Sequence, residues 1–328
     1  MSKILITGIN GFIGSHIARK VLEDGHMLRG LVRRKSDLKL IRDLDIELIT
    51  GDITDESSLG AAVKGIDIVI HVAGLASDWG AYEDFFNVNY SGTRNIGSIA
   101  NNAGVKRMVL ISSVAIHGFG FRNITENYPS PNDLNNYSKT KKLAEDWFFD
   151  YGRNVPMEVT ALRPGNVYGP DDFTFMDKYL KSLCSGTIGQ IDNGEKLTCP
   201  TYVENLSDAV LISCFEKKAV GEAFFITDGL FITWREFNEK LTTELGVKMP
   251  AYSIPYWLGD MLAYSMESVY KLAQSQKSPF LTRYRIANGG MDYHFSIDKA
   301  KRLLNWEPRI DINEAVKRTV LWFKEIKN

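Results

Sequence analysis

The sequence predicts an α/β protein: one doubly wound parallel sheet with a smaller, interleaved C-terminal substrate domain. Three observations carry this. Short apolar runs alternate with amphipathic stretches through the first half of the chain, as in βαβ units. The first apolar run leads straight into a glycine-rich turn that opens a helix. After Pro164, glycines and prolines break the chain into segments too short for a second core of their own. A length of 328 residues suits a large nucleotide-binding domain with a smaller partner.

Apolar runs predict strands at 4–6, 28–32, 47–50, 66–71, 108–112 and 159–162. Helical spacing predicts helices over 12–24, 55–64, 84–103 and 138–152, the last with Leu143, Trp147 and Phe148 on one side. Right-handed crossovers then place helices on both faces of the sheet. Residues 205–217 read as a helix and 223–227 as a strand, so the chain returns briefly to the sheet. The domain assignment is therefore 1–165 with 205–228 for the nucleotide-binding part, and 166–204 with 229–328 for the substrate part.

Composition narrows the function. Lys plus Arg number 39 against 40 for Asp plus Glu, so no basic footprint for nucleic acid exists. Three cysteines, Cys184, Cys199 and Cys214, form no close pair; they argue against disulfides and a Cys-rich zinc site and for a reducing cytoplasm. Five scattered histidines provide no metal motif. No window of about 18 apolar residues is present and the start carries no signal-peptide pattern, so neither a membrane span nor secretion is expected. The expected partner is a small-molecule substrate.

Gly8-Ile9-Asn10-Gly11-Phe12-Ile13-Gly14 follows the first strand. Gly8 permits the tight turn, Gly11 lets backbone approach a pyrophosphate, and Gly14 lets helix and strand pack closely. The helix N-terminus offers free N–H groups and a positive dipole end. The motif has one more residue between its first two glycines than the plain dinucleotide fingerprint.

Tyr137 and Lys141 stand four apart at the start of a helical stretch and share a face. A lysine there is expected to pull the phenol pKa down from about 10, making Tyr137 a general acid/base. Ser112 and Ser113 end the 108–112 strand at the carboxyl edge, where ligands bind in open α/β sheets.

In this combination the chain resembles an extended short-chain dehydrogenase/reductase of the epimerase/dehydratase group, a Rossmann fold. Gly51-Asp52, His71-Val72-Ala73-Gly74, Asn89, Arg163-Pro164-Gly165 and Tyr202-Val203-Glu204-Asn205 extend the likeness. Val72 through Gly80, Phe280-Leu281-Thr282-Arg283 and Leu303 through Pro308 resemble the 3β-hydroxysteroid and sterol dehydrogenase branch. The resemblance implies Ser113 as catalytic serine with Ser112 as fallback, Tyr137 as acid/base, and Lys141 on the nicotinamide ribose. It further implies cofactor contacts from Gly8, Asn10, Gly11, Phe12, Ile13 and Gly14, from Asp52 and Ile53 at the adenine, from Val72, Ala73 and Gly74, from Ser112, and from Pro164, Asn166 and Val167. A homodimer through 84–103 and 138–152 is implied too. Two departures stand out: Asn166 matches an asparagine that nucleotide-sugar members use on their substrate, and the usual Val-Tyr-Gly after the serine is here Ile116-His117-Gly118.

The second strand ends in Arg33-Arg34-Lys35-Ser36, with no acidic residue before Asp37. A guanidinium there reads the 2′-phosphate of NADP, so NADP is the expected cofactor, with NAD the alternative. Residues 252–276 are rich in aromatics and Met. They predict a helix that lines a lipophilic pocket or rests at a bilayer interface; the pocket is preferred, with the protein in the soluble fraction. His117 and His294 read as packed residues. The leading function is an NAD(P)-dependent oxidoreductase interconverting a secondary alcohol and a ketone on a hydrophobic, sterol-like substrate. The alternatives are a nucleotide-sugar epimerase or dehydratase, for which Lys178, Lys181 and Arg235 form no clear phosphate motif, and a non-catalytic dinucleotide sensor.

Overall fold

Seven strands build the central sheet of the computed structural model, which describes residues 1–130 and 134–327. They are β1 (Lys3–Thr7), β2 (Met27–Val32), β3 (Glu47–Thr50), β4 (Ile68–His71), β5 (Arg107–Ile111), β6 (Glu158–Pro164) and β7 (Ala223–Ile226). Their order is β7-β6-β5-β4-β1-β2-β3 and every pairing is parallel. The order reverses between β1 and β4, which opens a crevice at the carboxyl edge. Register aligns that edge: Thr7 pairs with His71, Val32 with Thr50, Ile111 with Leu162 and Pro164 with Ile226.

Both faces of the sheet are covered, so its inner strands are apolar on both sides. Ile4, Ile6 and Val109 point to one face, where Ile17 and Val21 of α1 (Phe12–Glu23) join Leu206 and Val210 of a later helix, Val203–Phe215. Leu5, Met108 and Leu110 point to the other, against Ile96 and Ala100 of α2 (Gly92–Asn102) and Phe148 of α3 (Asn136–Gly152). This is the period-two alternation of a strand. A separate apolar cluster after β6 gathers Tyr168, Leu180, Tyr202, Trp234, Phe237 and Phe323.

Several predicted elements differ in detail. The 55–64 helix is reduced to a turn of 3-10 helix, Glu56–Ser58, and one α turn, Gly60–Val63. The 84–103 helix is interrupted by a π-helical stretch, Phe86–Ser91, which turns Asn89 into the interior. In α3 the buried side carries Ser138, Lys141, Ala144, Glu145 and Phe148, while Leu143 and Trp147 are half-buried. The 252–276 segment forms α4 (Tyr256–Leu272), of which only Gly259 and Ala263 are buried. Most of its aromatic and aliphatic side chains are left exposed, while Glu267, Tyr270 and Lys271 face a cavity as a pocket-lining helix would.

The glycine turn owes its shape to two close approaches. Gly8 has φ +69°, and a Cβ there would lie 2.8 Å from the Ala73 nitrogen. A Cβ at Gly14 would lie 2.1 Å from the Gly8 carbonyl oxygen, whereas one at Gly11 would meet only that oxygen, at 3.4 Å. Gly14→Ala is therefore expected to cost about 3 kcal/mol, the upper end of overpacking, and Gly11→Ala well under 1 kcal/mol. Urea unfolding of the two variants against wild type checks this, and equal midpoints would contradict it.

Candidate active site

The carboxyl edge of the sheet collects the residues singled out in the sequence. Gly11 caps α1 without any side-chain hydrogen bond, so the first-turn amides of α1 have no side-chain acceptor from their cap. These amides border the crevice between β1 and β4, and the dipole end favours an anion there. The uncapped helix start and the clearance at Gly11 suit a pyrophosphate.

The turn after β4 is held beside it by a buried relay. Thr93 Oγ1 donates to the Asn89 carbonyl (2.6 Å), so its contact with His71 Nε2 (3.1 Å) must take a proton from the ring. His71 Nδ1 is then the acceptor for Thr7 Oγ1 (2.7 Å), which in turn accepts from the Ala73 amide (3.2 Å). Burial, and secondarily the charge of Lys141, push the His71 pKa down to about 3, consistent with the neutral ring this bookkeeping needs. Asn89 completes the relay: its Oδ1 accepts from the Leu75 amide (2.7 Å), and its Nδ2 donates to the Leu75 carbonyl (3.2 Å) and Thr140 Oγ1 (3.1 Å). Val72, Ala73 and Gly74 are thereby fixed between β1 and α3.

Ser112 and Ser113 follow β5, both buried. Ser113 Oγ accepts from the Ala115 amide (3.1 Å) and caps the short 3-10 turn Val114–His117. Its hydroxyl stands close enough to the Tyr137 phenol to favour the phenolate, but burial outweighs this and raises the tyrosine pKa. Lys141 is buried, and its Nζ donates to the Ile111 carbonyl (2.6 Å) at the end of β5. Burial lowers the ammonium to about 8, with Glu145 opposing. The expected downward pull of Lys141 on Tyr137 is therefore absent here, because the ammonium is directed at the strand end. Ser112 faces the Glu145 carboxylate without a hydrogen bond of normal geometry.

The remaining sequence candidates divide between two sides. Arg33 and Arg34 are exposed immediately after β2, in a turn closed by the Arg33 amide on Ser36 Oγ (3.0 Å). Asn10 Nδ2 donates to the Asp37 carbonyl (3.0 Å) nearby. Asp52 Oδ1 accepts from the Thr54 amide and hydroxyl (2.9 and 2.8 Å), and Ile53 is buried against Gly92. Pro164 ends β6, and Val167 packs on the core. Asn166 turns the other way: its Nδ2 donates to Asn288 Oδ1 (3.1 Å) and Thr198 Oγ1 (3.3 Å). His117 is buried on Arg163 and lowered to about 4, by burial first and by Arg163 next. His294 is buried under Phe231, ring centroids 3.8 Å apart.

Of the cavities on the substrate side, two bear on the site. One of about 520 Å³ is lined by Trp79, Phe85, Asn135, Asn136, Tyr270 and Tyr284. Asn135 and Asn136 directly precede Tyr137, and Tyr284 lies near enough to that phenol for it to add to the upward push of burial on the Tyr284 pKa. The other, of about 490 Å³, is lined by Phe175, Tyr179, Ile191, Trp234, Leu281 and Asn288, among others. Ser113, Tyr137 and Lys141 line neither. Among the described residues no group of three His, Cys, Asp or Glu could hold a metal ion.

One pair escaped the sequence reading. Arg163 Nε donates to both Glu145 oxygens (3.1 and 3.0 Å), and both residues are buried under the serines. Burial raises the Glu145 pKa, but Arg163 more than reverses this and leaves the carboxyl below its usual 4.5. The signal was a glutamate four residues after Lys141 on the buried face of α3. Glu145→Gln is expected to cost about 3 kcal/mol at pH 7, since Arg163 stays buried without a counter-charge. A depressed carboxylate stabilises above its unfolded pKa, so the deficit should shrink as pH falls below about 4.5. Guanidinium melts of both proteins at pH 7 and pH 4 read this; a pH-independent difference would contradict it.

Known proteins are similar to this chain over nearly its whole length. The chain is 29% identical to the sterol-4-alpha-carboxylate 3-dehydrogenase, decarboxylating, of Mus musculus, over 99% of this chain and 92% of that one. It is 25% identical to the 2-alkyl-3-oxoalkanoate reductase of Shewanella oneidensis, over 97% and 85%. The UDP-glucose 4-epimerase of Thermotoga maritima, solved with UDP-glucose, superposes with a TM-score of 0.80 over 99% of this chain and 100% of that one; at 20% identity this is likeness of fold. Residues 4–212 match the NAD dependent epimerase/dehydratase family, and with well over half of its length so matched, the chain belongs to that family.

Proposed function

We propose that the protein is an NAD(P)-dependent oxidoreductase that interconverts a secondary alcohol and a ketone on a hydrophobic substrate, with Ser113, Tyr137 and Lys141 as its working groups. The observation that carries this is the meeting of Ser113 with the Tyr137 phenol at the sheet edge, beside a cavity with an aromatic lining. When bound, the nicotinamide supplies or accepts the hydride. Ser113 holds the substrate oxygen, Tyr137 Oη gives it a proton or takes one away, and Lys141 holds the cofactor side of the site. An ammonium has three donors; Ile111 uses one, and the others suit ribose hydroxyls. The first-turn amides of α1 hold the pyrophosphate, and Val72 to Gly74, Asp52, Ile53, Pro164 and Val167 line the remainder of the cofactor.

The mouse relative is named for oxidation at a sterol C3 next to a carboxylate-bearing carbon, and the Shewanella relative for reduction of a 3-oxo acid. An apolar 3-hydroxy or 3-oxo acid is accordingly the first substrate class to test. A nucleotide sugar fits less well. Its diphosphate needs free cations, yet Lys181 is held by Asp177 (2.7 Å) and Arg285 by Asp78 (2.7 Å), leaving Lys178 in the larger cavity's neighbour of about 490 Å³. Asn166, facing Asn288, is the feature that keeps the sugar reading as a second one. A homodimer through 84–103 and 138–152 belongs to the same proposal.

Tyr137→Phe is expected to lower kcat at least about 100-fold, the usual contribution of a general acid, while cofactor affinity stays within a few-fold. Stopped-flow turnover and fluorescence titration with NADPH separate the two; near wild-type kcat would remove Tyr137 from the mechanism. A sensor without turnover would bind cofactor and reduce no ketone in either protein.

NADP(H) is the proposed cofactor, because Arg33 and Arg34 are exposed at the end of β2. Arg33→Ala should weaken NADPH by about 1.5–3 kcal/mol, roughly ten- to a hundredfold, with little effect on NADH. Wild-type binding of NADH as tight as NADPH would show that this turn does not read a phosphate.

A further inference from the structure

We infer that α4 docks the protein onto an anionic lipid bilayer, lying in the interface through a bare apolar face. Trp257 is 66% exposed, Met261 52%, Tyr264 61% and Leu272 88%. Spacings of four, three and eight residues place these side chains on one stripe of a helix. Leu262 and Val269 flank the stripe and are exposed as well. The stripe also holds Ser265 and Ser268, but their hydroxyls donate back to the Met261 carbonyl (2.9 Å) and the Tyr264 carbonyl (2.8 Å). Its donors are therefore satisfied inside the helix.

The charges of α4 stand beside the stripe and are paired. Asp260 accepts from Arg283 Nε (2.9 Å), and Glu267 accepts from the Arg283 amide (2.8 Å) and lies 3.6 Å from Lys271 Nζ. No helix among the described residues is long and apolar enough to cross a membrane, so α4 can only lie along one.

Charge selects a bilayer over a second copy of the chain. Between residues 248 and 285 stand Lys248, Lys271, Lys277, Arg283 and Arg285 against Asp260 and Glu267, and with Asp78, which pairs with Arg285, the balance is +2, whereas the whole chain carries −1. Positive charge is thus concentrated around the apolar stripe, where two copies would repel and anionic headgroups would attract. Trp and Tyr favour the boundary between water and acyl chains. The inner side of the same helix supplies Glu267, Tyr270 and Lys271 to the 520 Å³ cavity, which would give an apolar substrate a short path; this last point alone rests on the proposed function.

The test sediments the full chain with vesicles of equimolar phosphatidylglycerol and phosphatidylcholine, and with vesicles of phosphatidylcholine alone. Binding to the anionic vesicles, weakened by salt, is the expected result. A Trp257→Ser, Leu272→Ser double variant, both positions outside the cavity lining, should bind those vesicles about tenfold more weakly or worse, with unchanged thermal midpoint and NADPH affinity. A wild-type protein that stays in the supernatant with both vesicles would overturn the inference. So would a double variant that binds like wild type, or light scattering that shows a dimer split by the double variant with no vesicle binding.

Discussion

A buried ammonium at the end of a parallel strand is the constraint on which the rest of the site depends. Lys141 rises from α3 into the sheet edge and bonds the Ile111 carbonyl, in surroundings that lower its pKa to about 8. A charge in such a place is costly unless the groups around it are fixed. The fold fixes them on three sides: the Arg163–Glu145 pair below the serines, the His71 relay behind β4, and the Asn89–Thr140 bond that ties α3 to the turn after β4.

The same constraint explains why polar residues are threaded through an otherwise apolar sheet. Thr7, His71, Thr93 and Asn89 are all buried, and each hydrogen bond fixes the proton position of the next. This chain positions Ala73 against the Gly8 turn, and so sets the width of the crevice between β1 and β4. The buried polar network and the glycine turn are one device: the first holds the wall, the second leaves room beside it.

Much of this was legible in the residues. The short apolar runs mark β1, β2, β3 and β5 within a residue or two, and the glycine spacing marks the start of α1, because parallel strands covered on both faces leave few other readings. Tyr137 and Lys141 share a helix face as their spacing requires. What stayed hidden depends on tertiary partners. The π-helical stretch at Phe86–Ser91 has no pattern of its own and exists because Asn89 must reach Leu75 and Thr140. Glu145 looks like a surface residue until Arg163 arrives from β6, 18 positions on. The apolar stripe of α4 reads like any packed helix, since periodicity cannot say whether a face meets protein or is left bare. The upward direction of the Tyr137 shift likewise depends on its burial in the folded chain.

The central claim is that this sheet edge transfers a hydride under control of the Tyr137 proton. The most direct measurement follows deuterium from C4 of reduced nicotinamide into product, using a 2-alkyl-3-oxoalkanoate and a 3-oxo sterol with the full chain. The account predicts one deuterium per turnover at the new carbinol carbon of at least one of them, detected by mass spectrometry and NMR. Cofactor bound tightly with no label transferred to any ketone, or product formed without deuterium, would contradict it.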